Sequence, residues 1–175
     1  MKKNLLISVA ASLASAAAFA ATNPATATFD VKLTVLKACS VVAGATSDID
    51  FGSQDSTATN LQNSNTISVT CSKNTPYTIG LTPSNSSTTG AGVMAAQNVA
   101  PVTGNTDTVG YQLRSTAGLT GTVWGNSNTS GSVVGNGVSG TGNGAAKSHT
   151  VYATVPSVNV TPDAYKDTVK VTVRY

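Results

Sequence analysis

Glutamate is absent from this chain, and histidine occurs once, at His149. All seven acidic residues are Asp, and charged residues make up only 10% of the whole. That inventory leaves little for acid–base chemistry. A Ser-His-Asp triad needs its histidine held between an acid and a serine. His149 follows a glycine-rich stretch at a strand start and reads as an exposed strand-edge residue. No G-x-S-x-G elbow occurs. Asp48 and Asp50 share a face two residues apart, but glycosidase chemistry needs a cleft between its carboxyls. They read as a solvated turn, and Asp163 and Asp167, flanking Tyr165, do likewise. No catalytic residue and no cofactor is expected.

Cysteine is nearly as scarce. Cys39 and Cys71 are the only two. With one histidine they cannot close a structural zinc site without carboxylates, so no metal is expected. Lys and Arg are scattered singly, which leaves no electrostatic footprint for nucleic acid. The glycines of 125–146 lack the strand–loop–helix context of a phosphate cradle, and no Gly-Lys-Ser/Thr follows. No segment is long and apolar enough for a confident membrane span.

Lys2 and Lys3, the apolar run Leu5 to Ala18, and Ala18-Phe19-Ala20 read as an export signal cleaved before Ala21. Removing Lys2 and Lys3 from the 10 Lys and Arg leaves 8 against 7 Asp, so the mature net charge is near +1 rather than +3. About 155 residues remain, enough for one domain with a core. They leave no room for a separate receptor-binding domain. In an oxidising compartment an even cysteine count argues for one disulfide, Cys39 to Cys71.

Thr, Val, Gly, Asn and Ser dominate what is present, while helix formers other than Ala are few. The mature chain reads as all-β. Over residues 26–37, Phe29, Val31, Leu33 and Val35 alternate with Asp30, Lys32 and Thr34. That is the period of a strand with one buried and one wet face. Val169, Val171, Val173 and Tyr175 repeat the pattern in a final strand, 167–175. Between them, strands are expected at 40–43, 49–52, 66–72, from Pro76 through Leu81, at Val109 to Leu113 and at Val151 to Val155. Ser53 to Asn65 reads as a loop, and 125–146 as a long Gly/Asn-rich surface loop or flexible hairpin. Trp124 reads as core or rim packing.

Several pieces occur together in a fixed order. They are Cys39, Ile49-Asp50-Phe51-Gly52, Ile67-Ser68-Val69-Thr70-Cys71, Pro76-Tyr77-Thr78-Ile79-Gly80-Leu81 and Val109-Gly110-Tyr111-Gln112-Leu113. Trp124-Gly125, Val151 to Pro156, Tyr165 to Val169 and Val171 to Tyr175 follow. The set resembles the spore coat U domain family of secreted bacterial proteins, whose best-understood members are subunits of archaic chaperone–usher pili. The resemblance implies an incomplete immunoglobulin-like β-sandwich lacking its last strand. It implies as partners neighbouring pilin subunits, a periplasmic chaperone and an outer-membrane usher. On this reading 1–20 is the signal peptide, 21–37 a donor-strand extension and 38–175 the pilin domain, exported through the periplasm to a cell-surface pilus.

The residue pattern points the same way. A sandwich missing an edge strand exposes apolar core and unpaired backbone, and the 26–37 stripe is the matching part. Burying Phe29, Val31, Leu33 and Val35 contributes roughly 6–12 kcal/mol of gross transfer free energy. The expected acceptor edge is Val169, Val171, Val173 and Tyr175. The alternative is a monomeric secreted carbohydrate- or surface-binding sandwich that uses Trp124 and nearby tyrosines.

Overall fold

The structure is a computed structural model describing residues 23–130 and 133–175; the expected 1–20 leader lies outside the described residues. By its internal contacts the chain divides into two units, Met1–Val35 and Leu36–Tyr175. In the second unit the strands run in chain order as β1 (Cys39–Val42), β2 (Thr59–Cys71), β3 (Pro76–Thr82), β4 (Ala91–Ala96), β5 (Thr108–Arg114), β6 (Asn128–Ser130), β7 (Val133–Val134), β8 (Val138–Thr141), β9 (Ala146–Ser157), β10 (Tyr165–Lys166) and β11 (Lys170–Arg174). No α-helix occurs among the described residues.

Two antiparallel sheets make an immunoglobulin-like sandwich. One has the order β1-β2-β9-β5-β4-β10, the other β11-β3-β8, and β6 with β7 forms a separate small ribbon. Alternation explains the layering. Ile67, Val69 and Cys71 on β2, Val109, Tyr111 and Leu113 on β5, and Val151, Ala153 and Val155 on β9 face inward. Tyr77, Ile79 and Leu81 on β3 meet them from the other sheet. Polar residues at alternate positions of β2, β5 and β9 leave the outer face of the larger sheet wet.

Cys39 and Cys71 are opposite one another across β1 and β2 and are joined in a disulfide. Ser72 N–H donates to the Ala38 carbonyl beside them. That bond makes Cys39 and Cys71 a non-hydrogen-bonded pair, where facing side chains approach most closely. Closing a loop of sequence separation 32 contributes roughly 3–4 kcal/mol in the chain-entropy model.

Several expectations are corrected. Strand β2 begins at Thr59, not near Thr66, because β9 pairs with it from Thr59↔Ser157 to Thr70↔Ala146. The polar composition of 59–65 reflects exposure rather than a loop. The expected strand 49–52 is not one. Its backbone is held by side chains instead: Asn65 Nδ2 donates to the Asp48 carbonyl at 2.6 Å, and Asn63 to that of Asp50. The 125–146 stretch is structured, containing β6, β7 and β8 and ending where β9 begins. Its glycines allow close approach. A Cβ on Gly140 would collide with the Tyr77 ring, and one on Gly137 with the Ile79 carbonyl. The final strand is also shorter than expected, Lys170–Arg174 rather than 167–175.

His149 lies within β9, half-buried, rather than exposed at a strand start. Its Nε2 meets the Tyr77 hydroxyl at 2.9 Å, linking β9 to β3 across the two sheets. Burial, then the nearby Lys147 charge, holds its pKa below the ordinary 6.5. The folded state therefore favours the neutral ring, which shares a hydrogen bond with the Tyr77 hydroxyl. A group depressed on folding contributes stability above its unfolded pKa and loses it as pH falls. The urea midpoint is expected to drop between about pH 7 and 5. Hydrogen bonding also lowers Asp107 and Asp163, from an ordinary 3.8, so their contribution is lost only in stronger acid. His149→Gln, which keeps an acceptor for Tyr77, should flatten the pH 5–7 segment. An unchanged slope in that variant would rule His149 out as its source.

Candidate functional site

Among the described residues, strand β11 has a neighbour on one side only, β3, in the register Lys170↔Thr82 to Arg174↔Thr78. Its other side is a free row of backbone donors and acceptors, a template for another strand. Val169, Val171 and Val173 pack against the core yet are only partly buried, and Tyr175 is half exposed. Strand β1 is likewise an edge strand, of the other sheet, and it approaches β11. Val41 and Val42 on β1 are exposed, and Ile49 and Phe51 just beyond it are partly buried against the core. Two open edges and a row of incompletely covered apolar side chains thus border one side of the sandwich.

This edge is held firmly although it has only one strand partner. The Tyr111 hydroxyl donates to Asp167 Oδ2 at 2.6 Å, fixing the approach to β11 against β5. Burial, then that hydrogen bond and the Asp167 charge, push the Tyr111 pKa far above its ordinary value, so the hydroxyl stays a donor. Burial pushes the Asp167 carboxyl up, but hydrogen bonds from Ser84, Tyr111 and Thr168 outweigh it and keep its pKa below 3.8. At the other end Arg174 donates to Asn126 Oδ1 at 2.6 Å, and Asn126 donates in turn to Thr82 Oγ1 at 2.8 Å. Asn126 can lie across β3 because residue 80 is glycine; a Cβ there would strike its carboxamide.

The stripe of the first unit is fully presented. Phe29, Val31, Leu33 and Val35 are exposed by 87%, 88%, 87% and 80%. No strand or helix is assigned over the expected strand 26–37. Its alternation is a strand's, but a strand needs a ladder partner, and none is paired with this segment among the described residues. Asp30 and Lys32, on the polar alternates, form an exposed ion pair at 3.1 Å, which contributes little. Leu36 is exposed as well.

Sequence reasoning named the β11 residues but missed the β1 side, Val41 and Val42. The available signal was Val41-Val42 beside a cysteine, but a short apolar run cannot by itself say which of its faces is covered. Trp124 is 1% exposed, with its Nε1 donating to the Ile79 carbonyl at 2.9 Å. It packs in the core and offers no stacking face to a sugar. Tyr77 and Tyr111 are buried too. Among the described residues, no cluster of His, Cys and Asp could hold a metal ion.

The Spore Coat Protein U domain matches residues 25–172. No curated protein matches the chain. Among solved structures, it resembles a chain of the CsuC-CsuE chaperone–tip adhesion subunit pre-assembly complex from the archaic chaperone-usher Csu pili of Acinetobacter baumannii. The TM-score is 0.50 and the identity 20%, over 81% of this chain. The protein spans 40% of the length of that chain. At this identity the likeness is one of fold.

Proposed function

The chain belongs to the Spore Coat Protein U domain family, and from that premise we propose that it is a structural subunit of a secreted surface pilus. The observation that carries this is the coexistence of two unsatisfied parts. One is an apolar stripe, Phe29, Val31, Leu33 and Val35, left exposed. The other is the free edge of β11, with Val169, Val171 and Val173 incompletely covered. The sandwich is one strand short, and the stripe of a neighbouring copy supplies that strand. Backbone pairing gives the affinity and alternate side chains give the register. Because donor and acceptor surfaces differ, the contact is head-to-tail and propagates into a filament.

Before assembly the open edge needs cover, which is the role of a periplasmic chaperone, and an outer-membrane usher orders the exchange. The likeness to a chaperone–subunit complex of chaperone-usher pili supports these partners. The assembled filament stands on the cell surface and serves adhesion and biofilm formation.

Expression of residues 38–175 alone tests this. The product should aggregate or unfold, and an added 22–37 peptide or a co-expressed chaperone should rescue it as a soluble complex. A soluble 38–175 monomer that melts cooperatively without either would overturn the reading.

A further inference from the structure

The polar alternates of the two strands carry a second message, which rests on the strand-exchange reading and sharpens it. On the stripe segment they are Asp30, Lys32 and Thr34; on β11 they are Lys170, Thr172 and Arg174. We infer that these charges fix both the register and the direction in which one copy's segment lies on β11 of the next. Asp30 pairs with Arg174 in an antiparallel ladder centred on Lys32 opposite Thr172.

The register follows from enumeration. Matching four apolar residues to four in antiparallel order puts Phe29 opposite Tyr175, Val31 opposite Val173, Leu33 opposite Val171 and Val35 opposite Val169. The alternates then fall as Asp30–Arg174, Lys32–Thr172 and Thr34–Lys170. A slip of two residues either way places Lys32 opposite Arg174 or opposite Lys170, and like charges directly opposite are unfavourable. A slip of one turns the whole stripe to solvent. The neutral Thr172 between two cations is therefore the seat for Lys32.

The direction follows from three observations. A parallel ladder with the same centre would pair Asp30 with Lys170 instead. Lys170 is exposed, whereas the Arg174 guanidinium is already oriented by Asn126. Arg presents several fixed donors, so one can bind Asn126 while others meet the carboxylate. Only the antiparallel order also makes an aromatic cross-strand pair, Phe29 on the half-exposed Tyr175, and such pairs are favourable. Antiparallel ladders are also slightly the more stable per residue.

Cysteine cross-linking in the full chain tests this. Exported protein carrying Thr34→Cys is assembled with protein carrying Lys170→Cys, Thr172→Cys or Arg174→Cys. Mass spectrometry then reads which intermolecular disulfide forms. The expected product is 34–170. Predominance of 34–174 means a parallel ladder, and of 34–172 a slipped one; either overturns the assignment while leaving strand exchange intact. Multimers that give none of the three cross-links, yet vanish with Leu33→Asp, also overturn it. Multimers indifferent to Leu33→Asp, or no multimers in the unmodified chain, overturn strand exchange itself. A charge test is independent of cysteines. Asp30→Arg should weaken donation roughly fivefold, and Arg174→Asp in the accepting copy should restore it. Restoration by Lys170→Asp instead would support the parallel order and overturn ours.

Discussion

Leu33→Asp is expected to abolish filament formation, and Lys32→Asp to leave it nearly unchanged, although the two residues are adjacent. The difference lies in the face each presents. Leu33 belongs to the apolar stripe, and its transfer from water into a neighbour's groove contributes roughly 1.5–3 kcal/mol. Aspartate loses that and also requires an ionised carboxylate to be desolvated without a partner, which costs several kcal/mol more after relaxation. A swing of about 4 kcal/mol or more is roughly a thousandfold in the association constant. In the proposed ladder Lys32 keeps its head in solvent opposite the neutral Thr172, so a change of its charge is expected to cost little. The measurement is the yield of multimers from each variant at equal expression. Equal losses would refute the assigned face, and loss with Lys32→Asp alone would reverse it.

The fold class was legible in the sequence because period-two alternation survives in every long buried strand. Ile67, Val69 and Cys71 alternate within the expected strand 66–72, and Val151, Ala153 and Val155 within theirs, and all six lie inward. The boundaries were less legible. Residues 59–65 carry no apolar alternation because only one of them, Leu61, packs against the core. Their strand character comes from β9, a partner 90 or so residues away, which local pattern cannot see. The glycines of 125–146 had the same ambiguity. Composition alone reads them as a long surface loop or flexible hairpin, yet at Gly137 and Gly140 they are small because β3 lies against them. The stripe at 26–37 shows the opposite case. Its pattern announces a strand, but no ladder can form without a second edge, and pattern records what a segment can pair with rather than what it is paired with. His149 was misplaced because its Tyr77 partner is distant in sequence and belongs to the other sheet.

Trp124→Ala is expected to remove about 3–5 kcal/mol of stability, the largest loss from any single side chain here, and it separates a packing role from a binding one. The indole is almost fully enclosed, and its surroundings belong to both sheets. Its backbone N–H donates to the Leu113 carbonyl of β5, while its ring N–H donates to the Ile79 carbonyl of β3. Truncation leaves a cavity between the sheets and removes a buried donor at once. Trp124→Phe divides the two effects. It keeps most of the volume and loses only the N–H, for which about 1–3 kcal/mol is expected. Urea unfolding of the full chain, at one fixed protein concentration because assembly is linked to folding, reads both. A tryptophan displayed for sugar stacking would give the contrary result, since truncating a surface side chain changes stability by about 0.5 kcal/mol or less. If Trp124→Ala and Trp124→Phe both fell in that range, the indole could not be the bolt between the sheets. Graded losses, large for Ala and intermediate for Phe, mean that Trp124 holds β3 in place, and β3 is the strand to which β11 and its open edge are attached.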